Sequence, residues 1–178
     1  NSFTVTVNAY VPVTLKELEI VTLPTKTDYD QSYVETIINL SGMVVRGYYT
    51  DDTSKLITVT PGAITGFDIT SPGIRTLAII IDGITATFDI NVIGIANISI
   101  LSAANKTEYF VGDAYDKSGL IVEIIKSNGQ REQRAPTDAE ISGFTSVAAG
   151  TIAVTITVIN KSTSYNCLIK IPAITSIT

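Results

Sequence analysis

Residues 106–129, KTEYFVGDAYDKSGLIVEIIKSNG, carry a pattern that the chain has already used once. Lys106-Thr107-Glu108-Tyr109 answers Lys26-Thr27-Asp28-Tyr29 at a spacing of 80, and Ser118-Gly119 answers Ser41-Gly42 at a spacing of 77. The shorter spacing then holds for Val45 with Val122, Gly66-Phe67 with Gly143-Phe144, Gly73 with Gly150, Phe88 with Tyr165, Ile90 with Cys167 and Val92 with Ile169. Of the six glycines from Gly42 to Gly83, chance at ordinary glycine frequency would match about 0.4 at one offset, and three match. A fixed offset of this kind marks a repeated structural unit, here about 80 residues long. The change from 80 to 77 places a three-residue insertion in the first copy between Tyr29 and Ser41, and insertions belong in loops.

Within each copy, short apolar runs alternate with turn residues, and no long window shows helical periodicity. The pattern predicts strands near 18–23, 43–49, 55–60, 74–81 and 84–92, repeated near 98–101, 120–126, 130–134, 151–159 and 164–170. Their length and spacing are those of a β-sandwich. Asp82-Gly83 and Asn128-Gly129 lie between apolar runs, where a tight hairpin needs the positive φ that Gly, Asn and Asp tolerate best. Ile, Val and Thr dominate the composition, and their branched Cβ atoms suit a pleated sheet better than a helix. At the N-terminus, Phe3-Thr4-Val5-Thr6-Val7 alternates like Phe88-Asp89-Ile90-Asn91-Val92. It reads either as the last strand of a preceding domain or as a strand pairing with the domains present. Ile174-Thr175-Ser176-Ile177 likewise resembles the opening of a repeat at Ile98-Ser99-Ile100-Leu101.

The ordered elements KTDY, SGMVV, GFD, SPG and ATFDINV in copy one, and KTEYFVGDAYDKSGLIVEII, NG, SGF, AAG and SYNCLIKI in copy two, resemble the bacterial immunoglobulin-like domain, group 3. The resemblance runs from about Leu18 to Ile171. It departs in copy one, where Asp30-Gln31-Ser32-Tyr33 stands in place of the Gly-Asp that follows the tyrosine of copy two. It implies an all-β chain of two tandem immunoglobulin-like β-sandwich domains. Residues 14–94 are expected to form the first domain and 95–178 the second, with 1–13 as an N-terminal strand. The resemblance also implies an extracellular setting, at a bacterial cell surface or secreted, and supplies no catalytic residue. An adhesive or spacer role is the leading expectation. Its alternatives are a carbohydrate-binding or spacer accessory to a secreted polysaccharide-degrading enzyme, and a component of a surface-layer lattice. Expected partners are neighbouring Ig-like domains of the same chain and a host or cell-wall glycan or a protein ligand.

Composition narrows the chemistry. The formal charge is −5 and no basic cluster occurs, which opposes nucleic acid, since phosphate binding relies on clustered Lys and Arg. The apolar run 77–81 stops at Asp82, far short of the ~20 residues of a membrane helix. The chain has no histidine, so the commonest general base and metal ligand is missing and the usual nucleophile triads cannot form. The one cysteine, Cys167, forms no internal disulfide and falls on an inward-facing position as a small apolar residue. Asp28/Asp30, Asp51/Asp52 and Asp113/Asp116 are read as turn-forming carboxylates that bond nearby amides in preference to calcium ligands, and no cofactor is expected. Exposed tyrosines can stack on sugar rings, which makes Tyr33 and Tyr49 the candidate ligand contacts. Adjacent strand residues face opposite sides, and alignment with Ile125 and Lys126 predicts Tyr48 inward and Tyr49 outward. Tyr29 and Tyr109 are expected to be packing residues.

Overall fold

The computed structural model describes residues 10–33 and 35–173. The terminal strand expected at Phe3 to Val7 and the repeat opening expected at Ile174 to Ile177 lie outside the described residues. The chain divides into two compact units between Val92 and Ile93.

In the first unit β1 (Leu15–Thr22), β3 (Val44–Tyr49) and β4 (Ser54–Ile57) form a three-stranded sheet in the order β1-β3-β4. The facing sheet runs β2-β7-β6-β5, from β2 (Asp28–Asp30), β7 (Ile84–Ile93), β6 (Gly73–Ile81) and β5 (Ile64–Thr65). The second unit repeats the plan. β8 (Ile95–Ser102), β10 (Ile121–Lys126) and β11 (Arg131–Arg134) form one sheet. β9 (Glu108–Phe110), β12 (Ile141–Ser142), β13 (Gly150–Val158) and β14 (Lys161–Lys170) form the other, ordered β12-β13-β14-β9. Among the described residues the pairings of the second unit are antiparallel except β9 with β14, which is parallel and sets Tyr109 opposite Ile169. The chain is therefore all-β, as the alternation predicted.

The alternation builds the interior directly, because every second residue of a strand points to one face. On β7 the inward series is Phe88, Ile90 and Val92, with Phe88 opposite Leu77 of β6, and together with Ile79 it clusters with Leu15, Leu18 and Val45 of the other sheet. In the second unit Ile156 and Val158 of β13 meet Ile98, Val122 and Ile124 of the other sheet, while Val154 of β13 and Cys167 and Ile169 of β14 cluster with Tyr109. Among the described residues no polar or charged side chain is fully buried. Two sheets with apolar inner faces and solvated outer faces are a β-sandwich.

The hairpins differ in detail from expectation. Asp82 and Gly83 both take positive φ, 49° and 80°, which is the two-residue turn whose twist matches the strands it joins. At Asn128-Gly129 only the glycine does so, at 84°. There Lys126 donates to Gln130 at 2.8 Å and Gly129 to Lys126 at 2.9 Å, a loop one residue wider. The first copy builds the same loop with Asp52 at φ 63° in the glycine's place.

Candidate functional site

The candidate tyrosines are held by separate neighbours. Tyr33 follows β2 on the inserted loop, where its amide donates to Asp30 at 3.0 Å and its ring is 64% exposed. It borders a shallow depression of about 270 Å³ with Gln31, Glu35 and Ile69. Tyr49 ends β3 in the other sheet and points the opposite way from expectation. Val45 and Gly47 are buried, parity puts Tyr49 on their face, and its ring packs against the core with Lys55 Nζ 4.7 Å from its centroid. Tyr48 faces outward and donates its hydroxyl to Glu19 at 2.8 Å. Lys126 misled the alignment because it also lies on the core side, its stem covered and its ammonium 3.5 Å from Glu132. A lysine can bury its stem while its head stays wet.

Five of the six paired carboxylates, Asp28, Asp30, Asp51, Asp113 and Asp116, are engaged by neighbouring groups. Asp30, Asp51 and Asp116 each accept from the amide two residues on, at 2.8, 3.1 and 2.9 Å, and Asp28 accepts from Asn91 at 3.2 Å. The side-chain hydroxyl of Thr53 and that of Ser118, then their amides, hold Asp51 and Asp116 below the usual carboxylate range. Asp113 is held down mainly by Lys106 at 2.8 Å and then by the amide of Phe110. Among the described residues no three such groups converge as metal ligands would. Cys167 is 1% exposed in the core of the second unit, and burial raises its thiol above the ordinary range. That suppresses the thiolate that would make it reactive.

The Lys-Thr-x-Tyr element is a structural staple in both copies. Tyr29 and Tyr109 are fully buried, with Lys26 and Lys106 over their rings at 4.7 and 4.6 Å. Each lysine is also anchored by a loop carboxylate. Lys106 uses Asp113, whereas Lys26 uses Glu35 at 2.7 Å, so the first copy replaces the missing Gly-Asp from inside its insertion.

A groove recurs at the same place in both units, and the sequence reading did not single it out. In the first unit Ile38, Pro61, Ile64, Gly66 and Phe67 line about 280 Å³. In the second unit the residues 77 positions on, Tyr115, Asp138, Ile141, Gly143 and Phe144, line about 450 Å³ together with Ser142. The Tyr115 and Phe144 rings lie 5.1 Å apart at 43° and are both half-buried. The hydroxyls of Tyr115 and Tyr165 share a hydrogen bond of 2.5 Å, and burial raises both phenols above their ordinary range. At the rim Lys117 meets the carboxylate of Asp138 at 2.5 Å. The available signal was the exchange of aliphatic Ile38 for Tyr115, Pro61 for Asp138 and Phe88 for Tyr165 between copies.

The geometry describes two sandwich units, the second with a polar-rimmed aromatic groove, and comparison with known proteins places the chain. Pectate lyase L of Thermoclostridium stercorarium is 32% identical over 108 residues, which are 60% of this chain and 8% of that protein. Exo-beta-1,6-galactobiohydrolase of Bifidobacterium longum subsp. longum is 24% identical over 158 residues, 85% of this chain and 10% of that protein. The chain thus spans a tenth or less of the length of these curated relatives. A solution structure assigned provisionally as a surface protein is 26% identical and covers 48% of this chain and 98% of that one, at a TM-score of 0.28. The model of the bacterial Ig-like domain (group 3) matches residues 22–92 and 102–168. With one matched span on each seven-stranded unit and more than half of the chain covered, the protein belongs to the bacterial Ig-like domain (group 3) family, in two tandem copies.

Proposed function

We propose that the chain is a non-catalytic, extracellular accessory module that holds a larger polysaccharide-acting protein at its polymer. One observation carries this reading: two curated relatives named as carbohydrate-cleaving enzymes match this chain over only 8% and 10% of their lengths, the share expected of an appended domain. The absence of histidine and the engagement of Asp30, Asp51, Asp113 and Asp116 in turn and loop contacts support a module without chemistry of its own. Polygalacturonate and β-1,6-galactan incubated with the chain are expected to yield no new reducing ends or unsaturated products. In native gels cast with each polymer, retarded migration is the expected sign of attachment. Product release that scales with protein concentration would overturn the non-catalytic part, and unretarded migration the attachment part.

The tandem repetition favours a second reading, that of a spacer or adhesive segment of a surface protein. Repeated sandwiches suit that role because each adds a folded unit without requiring a ligand. Unretarded migration in every polymer, with binding to intact bacterial or host cells, is the result that selects it.

A further inference from the structure

We propose that the Tyr115–Phe144 groove of the second unit is a binding site for a neutral hexose segment of a polysaccharide. The proposal rests on the accessory reading above and names where that attachment occurs. Sugar rings present a face of C–H groups and a rim of hydroxyls. The two tilted, half-buried rings of Tyr115 and Phe144 offer π-faces whose negative quadrupole attracts C–H edges. Asp138, with its side chain 90% exposed, supplies an acceptor for hydroxyls, Lys117 a donor, and Ser142 either. The volume of about 450 Å³ falls within the range of small-ligand sites.

The first unit acts as an internal comparison. Its groove has the same position and the same Phe-after-Gly floor but carries Ile38 and Pro61 where the second has Tyr115 and Asp138, and its sequence has Leu40 at the position of Lys117. The hollow is therefore a feature of the fold, while the polar and aromatic equipment is particular to one copy. Charge chooses between glycan classes. Asp138 is the charged residue among those lining the groove and the nearby cation, Lys117, is already paired with it at 2.5 Å, so a polyanion meets a carboxylate there whose counter-charge is engaged. An exposed pair of this kind keeps hydrogen-bonding capacity to spare, so a polyol can bridge it, accepting from Lys117 and donating to Asp138, without the pair coming apart.

The test uses the 178-residue chain in native gels containing β-1,6-galactan or polygalacturonate, with titration calorimetry against a β-1,6-galacto-oligosaccharide. Wild type is expected to be retarded by galactan and not by polygalacturonate. Tyr115→Ile, which installs the first unit's residue, is expected to weaken binding about tenfold, the loss of one good ring contact. Asp138→Ala, at a solvent-facing position that cannot unfold the unit, is expected to weaken it several-fold, and Tyr33→Ala to leave it unchanged. Wild-type retention that survives both Tyr115→Ile and Asp138→Ala overturns the groove while leaving the accessory reading intact, as does loss in Tyr33→Ala alone. Preference for polygalacturonate overturns the neutral-ligand assignment. No retention of wild type in either gel overturns the groove and the attachment reading together.

Discussion

Ile159 shows how a substitution between copies stores strain. It stands 77 residues after Asp82, in the turn between Val158 and Lys161, and takes φ 55° while remaining 47% exposed. A β-branched side chain in the left-handed region crowds its own carbonyl, and this one recovers little by burial. Ile159→Asp, the residue of the first copy, is expected to stabilise the second unit by about 1 kcal/mol, read as a higher urea midpoint with an unchanged slope. A lower midpoint would mean that the isoleucine packs more than its exposure indicates. Glu140 illustrates the opposite economy. Arg134 donates to both carboxylate oxygens, at 2.8 and 2.6 Å, and the amide of Thr137 adds a third bond at 2.7 Å. Arg134 above all holds the carboxyl down at about 2, against an ordinary value of 4.5. A carboxyl depressed on folding contributes stability that is complete above its unfolded value and is lost as pH falls through the folded one. Arg134→Met is therefore expected to cost on the order of 1 kcal/mol at pH 7, discounted for the partial exposure of the pair. The difference from wild type should shrink between pH 4.5 and 2, and a pH-independent difference would assign the cost to packing instead.

The strands longest in sequence were the most legible, and the shortest were not. β6, β7, β13 and β14 each run nine or ten residues, so apolar side chains repeat at every second place often enough to declare a strand. β2 and β9 have three residues and β5 and β12 have two, too few for a period, and each exists because tertiary pairing holds it. Tyr48 and Tyr49 were misassigned for a related reason: their orientation is fixed by Val45 and Gly47 behind them, and the aligned lysine hides a covered stem. The groove escaped because its residues are dispersed over 115–144 and converge only when β12 and the preceding turn close over the Tyr115 loop. The three-residue strands also explain why the buried tyrosines matter. Tyr109 accepts from the amide of Asp116 at 3.2 Å and is within 3.0 and 3.1 Å of the carbonyls of Lys106 and Asp116, tying β9 to the loop that follows it. Tyr29 accepts only from Asn39, at 3.0 Å, among the hydrogen bonds described. Removing a hydroxyl that leaves a shielded amide unpaired costs about 1–3 kcal/mol. Tyr109→Phe should accordingly lower the denaturation midpoint more than Tyr29→Phe, and equal losses would show that the carbonyl contacts contribute nothing.

Each unit carries its own interior, and the chain supplies a natural reporter for one of them. The buried residues of the first unit form one cluster from Leu15 to Val92. Those of the second form two, centred on Val122 and Val154 and joined by Ile141 and Tyr165, which pack against both. Each cluster draws its residues from one unit, so the loss of methylenes in one is expected to be felt there. Leu77 and Val154 are both 0% exposed, and truncation of such residues to alanine costs roughly 2–5 kcal/mol for leucine and somewhat less for valine. Cys167, the single cysteine of the sequence, is 1% exposed with its thiol raised by burial, so an aromatic disulfide reagent reaches it only when the second unit opens. Under native conditions the labelling rate then follows the population of that open form. Val154→Ala is expected to accelerate labelling about tenfold or more, as 1.4 kcal/mol is a factor of ten. Leu77→Ala is expected to destabilise the first unit by circular dichroism while leaving the labelling rate of Cys167 at its wild-type value. Equal acceleration by the two variants would mean that both sandwiches open as one cooperative body, and the chain would then have to be regarded as a single folding unit.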